Sequence, residues 1–156
     1  KVVRREDLFR RWQASAVRSV KEVPMKYLLK GDPRAQLRKV VGSGRACLAL
    51  FAAADALKLG FVEGVPPYVY VERLQHSNLS AFKNLRQCEP GEHPDVMLRQ
   101  APAPQSVFRG LVRPNGVAAS DVLQIWTDVA SHPSRAREQA DLIRKRVLER
   151  VIEGKR

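Results

Sequence analysis

The chain has no run of 18 apolar residues, the length a membrane span requires. It also lacks the basic, then apolar, then small-residue leader of a secretory signal. Cysteine is scarce. Cys47 sits within an apolar run and Cys88 in a loop-like stretch, with no spacing motif joining them. That scarcity argues against a disulfide scaffold and fits free thiols in a reducing, cytoplasmic compartment. The histidines, His76, His93 and His132, are scattered, and neither CxxC nor HExxH occurs, so no zinc signature is present. GxSxG, GxGxxG and the Walker lysine loop are missing too, which removes the motifs of common hydrolases, dinucleotide enzymes and P-loop enzymes. No cofactor, metal or membrane partner is expected. There is no internal repeat or low-complexity tract, and the chain begins at Lys1 without methionine, as a processed chain or a fragment would.

Positive charge is what the sequence has in excess. The 156 residues carry a net charge of +12 and a pI near 10.4, while the apolar fraction of 44% is ordinary. A single domain with a real core is expected at this length. Its charge calls for an anionic partner: nucleic acid, an acidic protein or an anionic surface. Residues 1–39 hold twelve Lys/Arg against four Asp/Glu. Phe9, Trp12, Ala16 and Val20 recur at helical spacing, so Arg5 to Val20 reads as a helix. Arg4, Arg5, Arg10, Arg11 and Arg18 are the candidates for nucleic-acid contact. Residues 1–44 thus form a basic helical segment ahead of an α/β region spanning 45–156.

Punctuation marks the rest of the chain. Gly31-Asp32-Pro33 is a helix start, with Asp32 at the cap and Pro33 in the first turn. Gly42-Ser43-Gly44 reads as a turn, not a phosphate cradle, because no GK[ST] follows. Arg45 to Leu50 reads as a strand and Phe51 to Leu59 as a short alanine-rich helix. Tyr68 to Glu72 alternates as a strand. Asn78 is a candidate cap for a helix carrying Leu79, Phe82 and Leu85. Val96 to Leu98 and Val107 to Val112 read as strands, and Pro114-Asn115-Gly116 as a turn. The whole predicts an α+β fold: a small mixed β-sheet flanked by helices, with a C-terminal helical pair.

The sharpest pattern is that pair, between Ser120 and Ile152. Taken at about 100° per residue, Val122, Leu123, Ile125, Trp126, Val129 and Ala130 fall on one arc. Asp121, Gln124, Thr127 and Asp128 fall on the other. Ser120 is the expected N-cap and Asp121 a first-turn charge. Pro133 breaks the pattern after His132. A second helix from Ser134 carries Ala136, Ala140, Ile143, Val147 and Val151 as its inward stripe, and ends at Gly154. Three readings of the polar arc stay open. It is a solvated face paired with Arg135 and Arg137; or a partner-recognition surface of Asp121, Gln124, Asp128, Arg135, Arg137 and Gln139; or a metal-dependent nuclease site using Asp121 and Asp128.

The same stretch, DVLQIWTDVASHPSRAREQADLI, resembles the closing signature of the AbiEi-type antitoxin and transcriptional regulator family of type IV toxin–antitoxin systems. The matching residues are Asp121, Gln124, Asp128, Pro133, Arg135, Glu138, Gln139 and Ala140. APAPQSVFRG and LFAAADALKLGFVEGVPPYVYVE are similar as well, so the likeness runs from about Arg45 to Leu148. Arg135-Ala136-Arg137 departs from the arginine-glycine pair expected there. The resemblance implies a bacterial, cytoplasmic, non-enzymatic antitoxin-like domain. It would counter a cognate nucleotidyltransferase-like toxin and support repression at operator DNA. Family members place a winged helix ahead of this domain. The stretch before Arg45 has room for one or two helices, as a remnant or linker of such a DNA-binding domain would.

Overall fold

The computed structural model describes residues 4–16, 19–43, 45–60, 62–132 and 136–153. Arg18, Gly44, Pro133, Ser134, Arg135 and Gly154, singled out above, lie outside that set, as do the side chains of Ala16, Asn78 and Ala136. The fold is α+β. Helix α1 (Arg5–Ala16) is followed by strand β1 (Glu22–Tyr27), helix α2 (Pro33–Gly42), strand β2 (Ala46–Ala49) and helix α3 (Leu50–Ala56). Then come β3 (Tyr68–Val71), the single turn α4 (His76–Leu79), β4 (Leu85–Gln87), β5 (Val96–Gln100) and α5 (Pro104–Arg109). A 3₁₀ turn at Pro114–Gly116 leads into α6 (Val122–Ser131). Helix α7 (Ala136–Ile143) runs through a π-helical stretch, Arg144–Leu148, into α8 (Glu149–Glu153).

Among the described residues five strands form one mixed sheet in the order β2-β3-β5-β1-β4. β3 and β5 are parallel; the other pairs are antiparallel. Strand β1 therefore lies inside the sheet, between β4 and β5. The expected boundary after residue 44 falls within a single hydrogen-bonded sheet, and the basic N-terminal segment contributes a strand as well as helices. The β2 edge is covered by residues 118–120: Leu48 N–H donates to Ala118 O at 2.8 Å, and Ser120 N–H donates to Leu48 O at 2.9 Å. Val69, Val96, Leu98, Ala49 and Leu50 are fully buried at the centre of the core.

Several expectations are corrected. Val107 to Val112 is not a strand: Pro104 opens a short helix, and Gly110 closes it with its N–H on Ser106 O at 3.0 Å. Only Val112 keeps an extended partner, bridging to Ala119. The segment after His76 is one helical turn, and Leu85 belongs to β4. In the last helix the inward stripe holds at Ala140 and Ile143 and then slips by one. Leu148 is buried and Ile152 packs on the core, whereas Val147 is half-buried and Val151 is 56% exposed. The π-helical stretch explains the slip. A π turn takes an extra residue, so every later position rotates and the next residue turns inward.

Candidate functional site

The residues of the polar arc converge on one row of the sheet. In register, Cys47 of β2 stands beside Tyr70 of β3, Tyr70 beside Arg99 of β5, and Arg99 beside Glu22 of β1. Directly opposed residues share a sheet face, so these four side chains form a line across it. Helix α6 lies over that line. The Tyr70 hydroxyl donates to Asp128 Oδ1 at 2.7 Å, and Gln124 Nε2 donates to the same oxygen at 2.8 Å. Arg99 stacks on the Tyr70 ring, its guanidinium carbon 5.8 Å from the centroid, and its Nη1 donates to Glu22 Oε1 at 2.8 Å.

Asp128 is only 5% exposed. Burial pushes its carboxyl up to about 6, against the opposing pull of the Tyr70 hydroxyl, the Arg99 charge and the Gln124 amide. Burial, with the Asp128 charge behind it, raises Tyr70 as well. The same two causes lift the Cys47 thiol to about 12, so it stays protonated at neutral pH. The other oxygen of Asp128 has no hydrogen-bond partner among the described residues. At the end of α6, the Tyr68 hydroxyl and His132 Nε2 approach to 3.3 Å, and the His132 ring meets both Tyr68 and Phe51 edge to face.

At the start of α6 it is Asp121, not Ser120, that caps. Its Oδ1 accepts from Leu123 N at 2.8 Å and Gln124 N at 2.9 Å. Ser120 is buried and extended beside β2, which moves the helix boundary one residue on. Gly110 makes room for this cap: a Cβ there would stand 2.7 Å from Asp121 Oδ2. The sequence fragments VFRG and SDVLQ thus meet in space.

The expectation of one solvent-facing recognition arc is corrected. Asp128 and Thr127 are buried, Gln124 and Asp121 are half-buried, and Leu123, assigned inward, is exposed. Helix α6 is enclosed on more than one side, so Thr127 and Asp128 are internal while Asp121 and Gln124 keep partial access to solvent. Gln139, on α7, is 6% exposed and its amide packs against Gly60. Arg137 is exposed on α7. Asp121 and Asp128 do not make an open pair for a cation. They lie seven residues apart, about 10 Å along the helix, one spent on the cap and the other sealed against Tyr70.

The N-terminal arginines are divided. Arg5 is half-buried and donates to Val151 O at 3.0 Å, fastening α1 to α8. Glu6 takes both Arg144 at 2.8 Å and Arg10 at 3.4 Å. Arg4, Arg10 and Arg11 are exposed. Phe9 and Trp12 of α1 pack on Trp126 of α6, with the two indoles stacked 6.2 Å apart. Tyr70, Arg99 and Glu22 were not singled out from sequence as a site. Nothing in a strand's own alternation tells which distant helix will lie over it.

Compared with family models, curated proteins and solved structures, the chain matches none.

Proposed function

We propose that the chain acts by binding and not by catalysis, as the antitoxin-like domain of a transcriptional regulator. In this reading it counters a nucleotidyltransferase-like toxin and supports operator repression. The observation that carries the non-enzymatic part is the inward use of Asp121, Gln124 and Asp128. One carboxylate caps α6 and the other is fixed under Tyr70, so the signature that resembles the antitoxin family serves to seat the helix on the sheet. Contact is left to the exterior, where the net charge of +12 resides and where Arg4, Arg10, Arg11 and Arg137 are exposed. An anionic partner supplies the complement to that surface.

Two assays on the full chain test the reading. Titration of duplex DNA at 50 mM and 200 mM salt should give an affinity loss of roughly 10³-fold or more if six or so phosphates are contacted, because each neutralised phosphate releases counterions. Incubation with nucleic acid and Mg²⁺ should leave the substrate intact. Cleavage that disappears in Asp128→Asn while affinity persists would establish the nuclease instead. For the toxin, Arg137→Glu should weaken rescue of growth from a co-expressed nucleotidyltransferase-like toxin. Undiminished rescue moves the contact off α7.

A further inference from the structure

A cavity of about 500 Å³ opens between α2, α3, residues 58 and 62–67 and the turn at Pro114–Val117, and none of Tyr70, Arg99 or Asp128 lines it. Its volume lies within the range of small-molecule sites, roughly 300–1,000 Å³. Leu37, Phe51 and Val65 give it an apolar lining. Arg34 and Arg38 stand on one wall, four residues apart on α2 and therefore on the same helical face. Lys58 joins them from the end of α3, where a left-handed residue (φ 58°) turns the chain and its N–H closes on Asp55 O at 2.9 Å. Asp55 and Glu63 also reach the lining.

Among the described residues none of these five charged groups is in an ion pair. Three cations against two carboxylates leave a single positive charge over an apolar floor. That balance suits one negative charge. It disfavours a run of phosphates, which the two carboxylates would repel, and an uncharged hydrocarbon, which would leave the guanidiniums unused.

We propose that this cavity binds an organic monoanion with an apolar body, a carboxylate or a sulfonate. Arg34 and Arg38 hold the head group, and Leu37, Phe51 and Val65 take the body. The site goes beyond the binding reading above and does not depend on it, since its test contains no nucleic acid and no toxin.

The full chain is titrated with two fluorescent probes that share an aromatic body: anilinonaphthalene sulfonate, which is anionic, and phenylnaphthylamine, which is neutral. The sulfonate should bind at one saturable site and be displaced by decanoate. Arg34→Gln/Arg38→Gln, two changes on the exposed face of α2, should weaken the sulfonate about 10-fold or more and leave the neutral probe within about twofold. Ala52→Trp, which fills the lining, should weaken both probes, with the unfolding midpoint checking that the variant is folded. Sulfonate binding that is unchanged in the double arginine variant, or that shows no saturable site in the parent chain, overturns the proposal.

Discussion

A carboxyl group buried under a tyrosine titrates outside its ordinary range, and Asp128 does so with a sign that can be measured. Its folded-state value is raised from 3.8 to about 6. As pH climbs between those values the unfolded chain gives up this proton first, so the folded state binds more protons and stability falls. The loss is complete above about pH 6 and amounts to roughly 3 kcal/mol at about 1.4 kcal/mol per pK unit. Asp128→Asn removes the titration but keeps the shape. The stability of the parent chain minus that of the variant, from urea unfolding, should therefore decline by most of that amount between about pH 4 and pH 7. Glu92, held down to about 2 by Arg86, drives stability the other way at low pH but cancels in the difference. A difference that stays flat means that Asp128 is not sealed in the folded state. Gly110 offers a second test. Its added methyl would meet Asp121 Oδ2 at 2.7 Å, so Gly110→Ala should cost about 1–2 kcal/mol by displacing the cap. Asp121→Ser keeps a capping oxygen without Oδ2, and in that background the alanine should cost less. Equal costs in the two backgrounds would uncouple Gly110 from the cap.

Among the elements, the start of α2 is fully legible in the sequence. Asp32-Pro33 fixes the first turn of α2, with Asp32 Oδ2 accepting from Ala35 N at 2.8 Å as a capping aspartate does. The Tyr68–Val71 strand follows from its aromatic and β-branched residues, all four of them buried, and the Pro114–Gly116 turn from residues that tolerate positive φ, here Asn115 and Gly116. What could not be read was anything decided between elements. β1 has a proline in its middle and little alternation, and its place beside β4 and β5 comes from tertiary pairing. The 100° pattern separates the polar from the apolar residues of α6 but not the buried from the exposed: Leu123 is exposed, and Thr127 and Asp128 are buried because the helix is covered on more than one side. The π-helical stretch had no sequence signal either, yet it decides which valine and leucine count. Leu148→Ala should therefore cost about 2–4 kcal/mol, Val147→Ala less, and Val151→Ser no more than about 0.5 kcal/mol. Guanidinium unfolding of the three variants checks the order. A large cost at Val151 and a small one at Leu148 would mean that the helix runs through without the extra residue.

At the level of the whole molecule, the charge asymmetry suggests a basic arm joined to an α/β body, but the strand order argues that the two are one folding unit. β1 pairs on both sides, its Glu22–Met25 with Val96–Arg99 and its Met25–Tyr27 with Leu85–Gln87. Removing it would separate β4 from the rest of the sheet and bare the β5 edge along its whole length. The polar row would also lose Glu22, the ion-pair partner of the buried Arg99, and a buried cation stripped of its partner is destabilising. Met25, Val40 and Val41 would leave the core, and Phe9 and Trp12 would leave the Trp126 stack. Those losses together are large against the 5–15 kcal/mol by which domains of this size are commonly stable. A chain limited to residues 45–156 should thus show no cooperative thermal transition by circular dichroism and should bind anilinonaphthalene sulfonate diffusely, whereas a chain limited to 19–156, which keeps β1 and α2, should unfold cooperatively at a lower midpoint. Cooperative unfolding of 45–156 would make the N-terminal segment a true appendage, and its arginines would then be free to act as a separate anion-binding arm.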